Sequence, residues 1–368
     1  MQDVLYLFLI IALGFLLGRI RIKGISFGIS AVLITALVFG HFGITLPGLI
    51  KNLGLACFAT AVGYITGPVF MSNLKNKAVF FMIVAFAIVI SAGLLSAAFM
   101  KIFGLPLSLA LGIFSGSVTS TPGLAMALEL TNDPLASVGY GVTYPFGVVG
   151  LVLIVQILAK VSKDKEKDCG ISAGERETST EEGTFVIDKQ GMFFYSLALV
   201  IGILIGNIDI RLSENAVFSL GISGGTLISG LFFGALAHIG PLSTKVRRGL
   251  LDAMREFGLA LFLAAAGVEA GRDFISTIRE YGLILFVIGM IVTLLPTLFG
   301  FVLANKLFKI DVNSSLGAIC GGMTSTPALG ALSDLDSYEK VTSGYAASYA
   351  FALLSVIITV QVINYLFA

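Results

Sequence analysis

Thr119-Ser120-Thr121-Pro122 returns 205 residues later as Thr324-Ser325-Thr326-Pro327, and this doubled quartet decides how the chain reads. Laid on residues 316–361 without a gap, residues 111–156 give 15 identities in 46. They include Gly112/Gly317, Gly116/Gly321, the quartet, Gly139-Tyr140/Gly344-Tyr345, Tyr144/Tyr349 and Gln156/Gln361. Apolar bias alone scatters matches among Leu, Ala and Gly. It does not produce a polar quartet followed at fixed distances by two tyrosines and a glutamine. Upstream, Gly54-Leu55-Ala56 through Gly67 matches Gly258-Leu259-Ala260 through Gly271 at an offset of 204, and Gly14/Gly18 pair more loosely with Gly202/Gly206. The chain is a duplication.

Composition says where such a chain lives. Of 368 residues, 57% are hydrophobic and 12% charged, about half the charge of a soluble domain. Fourteen of the 45 charges fall between Lys160 and Gln190. Residues 1–160 and 191–368 are thus two apolar halves, and 161–190 is a polar linker. This excludes a soluble enzyme, a disulfide scaffold and a nucleic-acid partner; the class is a polytopic, all-α membrane protein with the lipid bilayer as partner. Cys57, Cys169 and Cys320 have no paired spacing, so no metal site is indicated, and no cofactor is expected. Positive charge follows the first apolar run instead of preceding it, at Arg19, Arg21 and Lys23, so a first span is expected here, in place of a cleaved leader.

Apolar segments fall at about 3–19, 25–43, 52–71, 78–100, a Gly/Pro-broken 107–134, and 136–159. The second half repeats them at about 191–207, 217–239, 257–271, 281–305, 312–340 and 342–367. Placing Arg19, Arg21, Lys23, Lys75, Lys77, Lys245, Arg247, Arg248, Arg255 and the linker in the cytoplasm satisfies the positive-inside rule. It requires each half to cross an odd number of times. The expectation is five spans and one re-entrant hairpin per half, the second half inverted, and both termini outside.

Broken backbone at membrane depth is tolerated only where protein buries it or it lines a cavity, and inverted repeats with broken helices are a transporter layout. Each quartet offers hydroxyls, N–H groups and the positive end of a half-helix begun by proline. That suits an anion, so the expected substrate contacts are Thr119, Ser120, Thr121, Pro122 and Gly123 with Thr324, Ser325, Thr326, Pro327 and Ala328. The N–H groups of Gly123 and Ala328 are expected to help. A single quartet also reads as a plain helix cap; two at matched positions favour a site. Tyr140, Tyr144, Tyr345 and Tyr349 lie at i, i+4 after each hairpin, and read equally as substrate ligands or packing residues.

Glu269 is a candidate for binding a coupling ion, because a mid-span carboxylate is costly; an ion pair with Arg272 is the plainer reading. Glu129 and Asp334 match across the repeat and read as solvated ends. His41, His238, Gln156 and Gln361 read as structural or interfacial. Recurrent GxxxG pairs suggest close packing within the monomer. The Gly-rich third spans are expected to move with the hairpins and the tyrosine helices. The Phe- and Ile-rich fourth spans are expected to face lipid and a partner. Gly221-Ile222-Ser223-Gly224 spells the nucleophile loop of rhomboid proteases, but His238 lies at the far end of the same segment, so no catalytic residues are expected.

With its doubled Gly-x-x-x-Gly-x-x-Thr-Ser-Thr-Pro and the preceding Gly-Leu-Ala-x-Phe-x-x-Ala-x-Gly, the chain resembles the aspartate:alanine exchanger family. The resemblance covers both halves. It implies an elevator-type homodimer of the bacterial inner membrane that exchanges or exports small carboxylates such as succinate and aspartate, or amino acids such as alanine. Central TrkA-C-like domains of many family members are missing here. A sodium- or proton-coupled carboxylate symporter and a channel remain rival readings.

Overall fold

The computed structural model describes residues 2–22, 25–26, 28–75, 79–162, 187–213, 216–236, 238–239, 241–282, 284–332 and 338–368. The first half runs α1 (Gln2–Gly18), α2 (Ala31–His41), α3 (Gly48–Lys75), α4 (Val79–Phe103), α5 (Leu107–Ser117), α6 (Thr121–Thr131) and α7 (Leu135–Ser162). The second runs α8 (Met192–Gly206), α9 (Gly221–Ala235), α10 (Arg248–Tyr281), α11 (Ile284–Val302), α12 (Val312–Gly322), α13 (Thr326–Gly330) and α14 (Tyr338–Phe367). Cys169, Asp334, Lys23, Lys77 and most of the linker lie outside the described residues.

Among the described residues, five stretches are long and apolar enough to cross a bilayer: Gly48–Met71, Val79–Phe103, Leu135–Lys160, Ile284–Leu307 and Tyr338–Phe367. The chain is a multi-pass membrane protein. Of the ten spans expected, these five meet the length and apolarity of a bilayer-crossing helix among the described residues. Helices α1, α2, α8 and α9 have 17, 11, 15 and 15 residues, against the roughly 20 that a helix needs to span. Backbone conformation sets part of this. Gly28 and Gly221 hold φ of +55° and +62°, before α2 and at the start of α9, and Gly43 holds +85° just after α2; a right-handed helix cannot run through such a residue. Helix α10 departs the other way, extending to 34 residues with charged ends. Three short antiparallel ribbons, such as Asp209–Ser213 with Ala216–Ser219, also qualify the all-α expectation.

The helices pack in two groups. One contains α1, α2, α3, α8, α9 and α10; the other contains α4 to α7 and α11 to α14. They meet where α10 runs along α7, α3 along α14, and α6 against α9. This corrects the expected grouping, because the third spans, α3 and α10, pack chiefly with the short second spans and not with the hairpins. The glycine seams explain it. A Cβ at Gly63 or Gly67 would fall on the carbonyl oxygens of Leu227 or Leu231 in α9, and one at Gly267 or Gly271 would meet those of Leu33 or Leu37 in α2. Seams this narrow fix each third span to its partner within the chain, as small residues do in membranes.

The fourth spans join the hairpin group. In α4, Val84, Ala85, Ile88, Val89 and Ala92 are buried, while Phe80, Ile83, Ile90 and Leu94 are exposed. The exposed apolar stripe agrees with a lipid-facing surface.

Candidate functional site

Each quartet joins two half-helices, α5 to α6 and α12 to α13. Both joints fold alike. Thr119 and Thr324 hold φ of +54° and +50°, a strained choice for a β-branched residue that needs outside support. Part of it comes from main-chain bonds: Ser120 N–H to Ser115 O at 2.8 Å and Ser325 N–H to Cys320 O at 2.8 Å. The rest comes from the opposite hairpin. Thr119 Oγ1 donates to Met323 O at 2.7 Å, and Thr324 Oγ1 donates to Val118 O at 2.9 Å. The two tips are therefore stitched together.

The six hydroxyls sort into three roles. Thr119 and Thr324 make the stitch. Ser120 and Ser325 cap α6 and α13, accepting from Gly123 N–H at 3.3 Å and Ala328 N–H at 3.4 Å, with Pro122 and Pro327 in the first turns. The caps therefore engage the two N–H groups that were expected to help hold a substrate. Thr121 and Thr326 remain, and each meets a tyrosine: Thr121 Oγ1 and Tyr140 Oη are 3.3 Å apart, Thr326 Oγ1 and Tyr345 Oη 3.1 Å. Tyr144 and Tyr349 stack on those rings with centroids 5.0 and 5.1 Å apart.

The matched tips differ in exposure. Thr121 is half-buried and Pro122 buried, whereas Thr326 and Pro327 are exposed. Tyr140 is fully buried and Tyr345 only partly so. The site is covered on the side of the first hairpin and open at the second.

Two carboxylates have partners other than those their sequence positions suggest. Glu269 pairs with Lys51 of α3 at 2.6 Å, not with Arg272. The antiparallel crossing of α3 and α10 at Gly54 and Gly258 brings that lysine to the carboxylate, whose side chain is 43% exposed. Glu129 is no solvated end: its carboxylate accepts from the start of α9, at Ile222 N–H (2.8 Å), Ser223 N–H (3.3 Å) and Ser223 Oγ–H (2.6 Å). This also gives the GxSG serine a structural role. Gln361 is buried and donates to Met126 Sδ at 3.6 Å, while Gln156 is exposed.

Arg255 was missed as a site neighbour. Its guanidinium, held by Asp252 at 3.6 Å, acts electrostatically on the phenols of Tyr345 and Tyr349. The signal was present in the sequence: the 204-residue offset that matches Gly54 to Gly258 also matches Lys51 to Arg255.

A multi-pass helical protein whose two broken segments meet tip to tip is laid out as a permease. The chain belongs to the aspartate–alanine exchanger family, whose predicted permease membrane region matches residues 6–160 and 194–365. It is similar to an uncharacterized transporter of Bacteroides thetaiotaomicron, 27% identical with 97% of each chain covered, and to one of Bacteroides fragilis, 28% identical with the same coverage. A third, from Desulfotalea psychrophila, is 25% identical over 99% of this chain and 97% of its own. The first alignment runs over 516 positions against 368 residues here, so that relative carries residues this chain lacks.

Proposed function

We propose that the protein is a secondary active transporter of small carboxylates, C4-dicarboxylates or amino acids such as aspartate and alanine, working by alternating access at the joined tips. The observation that carries this reading is the reciprocal stitch of Thr119 to Met323 and Thr324 to Val118. It sets the positive end of α6 beside that of the short α13, where dipoles, the Thr121–Tyr140 and Thr326–Tyr345 hydroxyls and the nearby Arg255 favour an anion. Family membership supports a transport role.

Our reading of the assembly is an inverted repeat in a bacterial inner membrane, moving as an elevator in a homodimer. The hairpin group is the moving part. The orientation has both termini outside and the linker in the cytoplasm. Three contacts each join loops that this topology puts on a common side, whichever face that is. Lys51 meets Glu269, Lys101 lies 4.9 Å over the Phe367 ring, and Arg247 N–H donates to Gln190 O at 3.0 Å.

Counterflow in proteoliposomes with labelled C3–C5 acids and amino acids tests the substrate class. Saturable exchange of at least one acid is expected, and no exchange across the panel by the folded parent overturns the reading. Repeating the assay with imposed sodium or proton gradients separates exchange from symport. Cysteines at Gln190 and Ala368 labelled from opposite membrane faces are expected; labelling from one face refutes the inversion.

A further inference from the structure

The Glu129 carboxylate joins the two helix groups by accepting from the start of α9. Helix α9 begins without a side-chain cap of its own, which leaves its first N–H groups in need of acceptors. Glu129 supplies them from α6 in the other group, with both carboxylate oxygens engaged. The acid is badly placed for its own helix, because it lies in the last turn of α6, at the negative end of that dipole. It is well placed for α9, whose positive end it meets with charge-assisted bonds. Gly221 keeps the contact close: a Cβ there would sit 2.5 Å from Glu129 Oε2.

The bond coincides with a closed tip. Glu129 is two turns beyond Pro122 on the same half-helix, and it is this first tip that is covered while Thr326 and Pro327 of the second are exposed.

We propose that Glu129 is a positioning residue of the transport cycle, a latch that holds α6 against the N-terminus of α9 and keeps the first-hairpin side of the site closed. For that side to open, α6 must leave α9. Water entering the gap then hydrates the carboxylate and the freed N–H groups, so the latch is reversible. A static cap buried in one rigid unit has no such requirement. The inference rests on the alternating-access reading but not on which substrate is carried.

The test uses single cysteines in a chain with Cys57, Cys169 and Cys320 replaced by serine. One goes at Met126, fully buried on α6, its Cε 3.4 Å from the Cβ position of Gly224 in α9. The other goes at Gly330, exposed at the end of α13 with nothing within 4 Å of its Cβ position. Both are labelled with a membrane-impermeant maleimide in proteoliposomes, with no substrate present. Glu129→Gln is expected to raise the labelling rate at 126 by about tenfold or more and to lower it at 330, because opening one side closes the other. Ser223→Ala, which keeps the charge and loses one bond, is expected to shift both in the same directions by about threefold. Unchanged rates at both positions overturn the latch. A rise at 126 without a fall at 330 also overturns it, since that is simple fraying of α9. If Glu129→Gln does not fold, Ser223→Ala decides alone. Failure of every acid in counterflow, with labelling behaving as described, removes the carboxylate reading and leaves the latch standing.

Discussion

Thr119 reaches across the molecule to the main-chain carbonyl of Met323, 2.7 Å away and 204 positions along the chain. The matched bond from Thr324 to Val118 makes the contact reciprocal. Both threonines are buried, so removing either hydroxyl strands a carbonyl with no water to replace the donor. Thr119→Val and Thr324→Val are each expected to lower stability by about 1–3 kcal/mol, whereas Thr→Ser, which keeps the donor, costs less. Thermal unfolding in detergent checks this. Equal stability of Val and Ser variants refutes a structural stitch.

The duplication made much of this legible. A polar quartet inside an apolar run marks a break, and its recurrence at a fixed distance predicts that the two breaks share a site. The joined tips follow. Three features were beyond the sequence. That Thr119 and Thr324 bond to the main chain of the opposite hairpin depends on their left-handed backbone, which nothing in the residue type announces. The grouping of α3 and α10 with short helices depends on which surface meets each glycine seam, and periodicity does not say that. Glu129 looked like a solvated helix end because its partner, the uncapped start of α9, lies 93 residues away in sequence.

On the proposed transport reading, Thr121 and Thr326, each with its tyrosine, are the hydroxyls that meet a substrate, and Thr326 is the exposed one. Thr326→Val and Tyr345→Phe are therefore expected to weaken substrate binding by about five- to a hundredfold, the range for hydrogen bonds to a carboxylate oxygen. Ser325→Ala acts differently, through loss of the α13 cap. Substrate-induced thermal stabilisation separates the two effects. Parent-like binding by both Thr326→Val and Tyr345→Phe sinks this assignment.

Gly63 faces the Leu227 carbonyl so closely that any side chain displaces α9. Backbone cannot step aside as a flexible side-chain end can. Gly63→Ala is expected to cost about 1–3 kcal/mol, and Gly63→Leu to prevent folding. Gly330, whose Cβ position has nothing within 4 Å, is the control: Gly330→Ala leaves the unfolding temperature within a degree or two of the parent.

Asp188 tethers the start of α8. Its carboxylate accepts from the N–H groups of Phe193, Met192, Gly191 and Gln190 at 2.6–3.0 Å, and these bonds hold its carboxyl below the usual range. A depressed folded value contributes stability above the unfolded pKa of about 3.9 and loses it as pH falls through the lower folded one. Asp188→Ala is expected to unfold at a lower temperature than the parent at pH 7, with the gap closing toward pH 3. A gap independent of pH means that the charge plays no part.

Glu269 offers the clearest separation between an ion pair and a coupling site. A carboxylate that carries a coupling ion through the membrane has to be sheltered from solvent in the loaded state. Glu269 is instead ion-paired to Lys51 at 2.6 Å on a side chain that the fold leaves 43% uncovered; where water reaches such a pair it contributes about 0–1 kcal/mol and is screened by salt. Glu269→Gln is thus expected to change stability by less than about 1 kcal/mol and to keep most of the counterflow activity. Any loss should diminish as ionic strength rises. Counterflow needs no net driving force, so uptake driven by a proton or sodium gradient is measured beside it. Loss of gradient-driven uptake with counterflow and folding intact identifies Glu269 as the coupling residue after all.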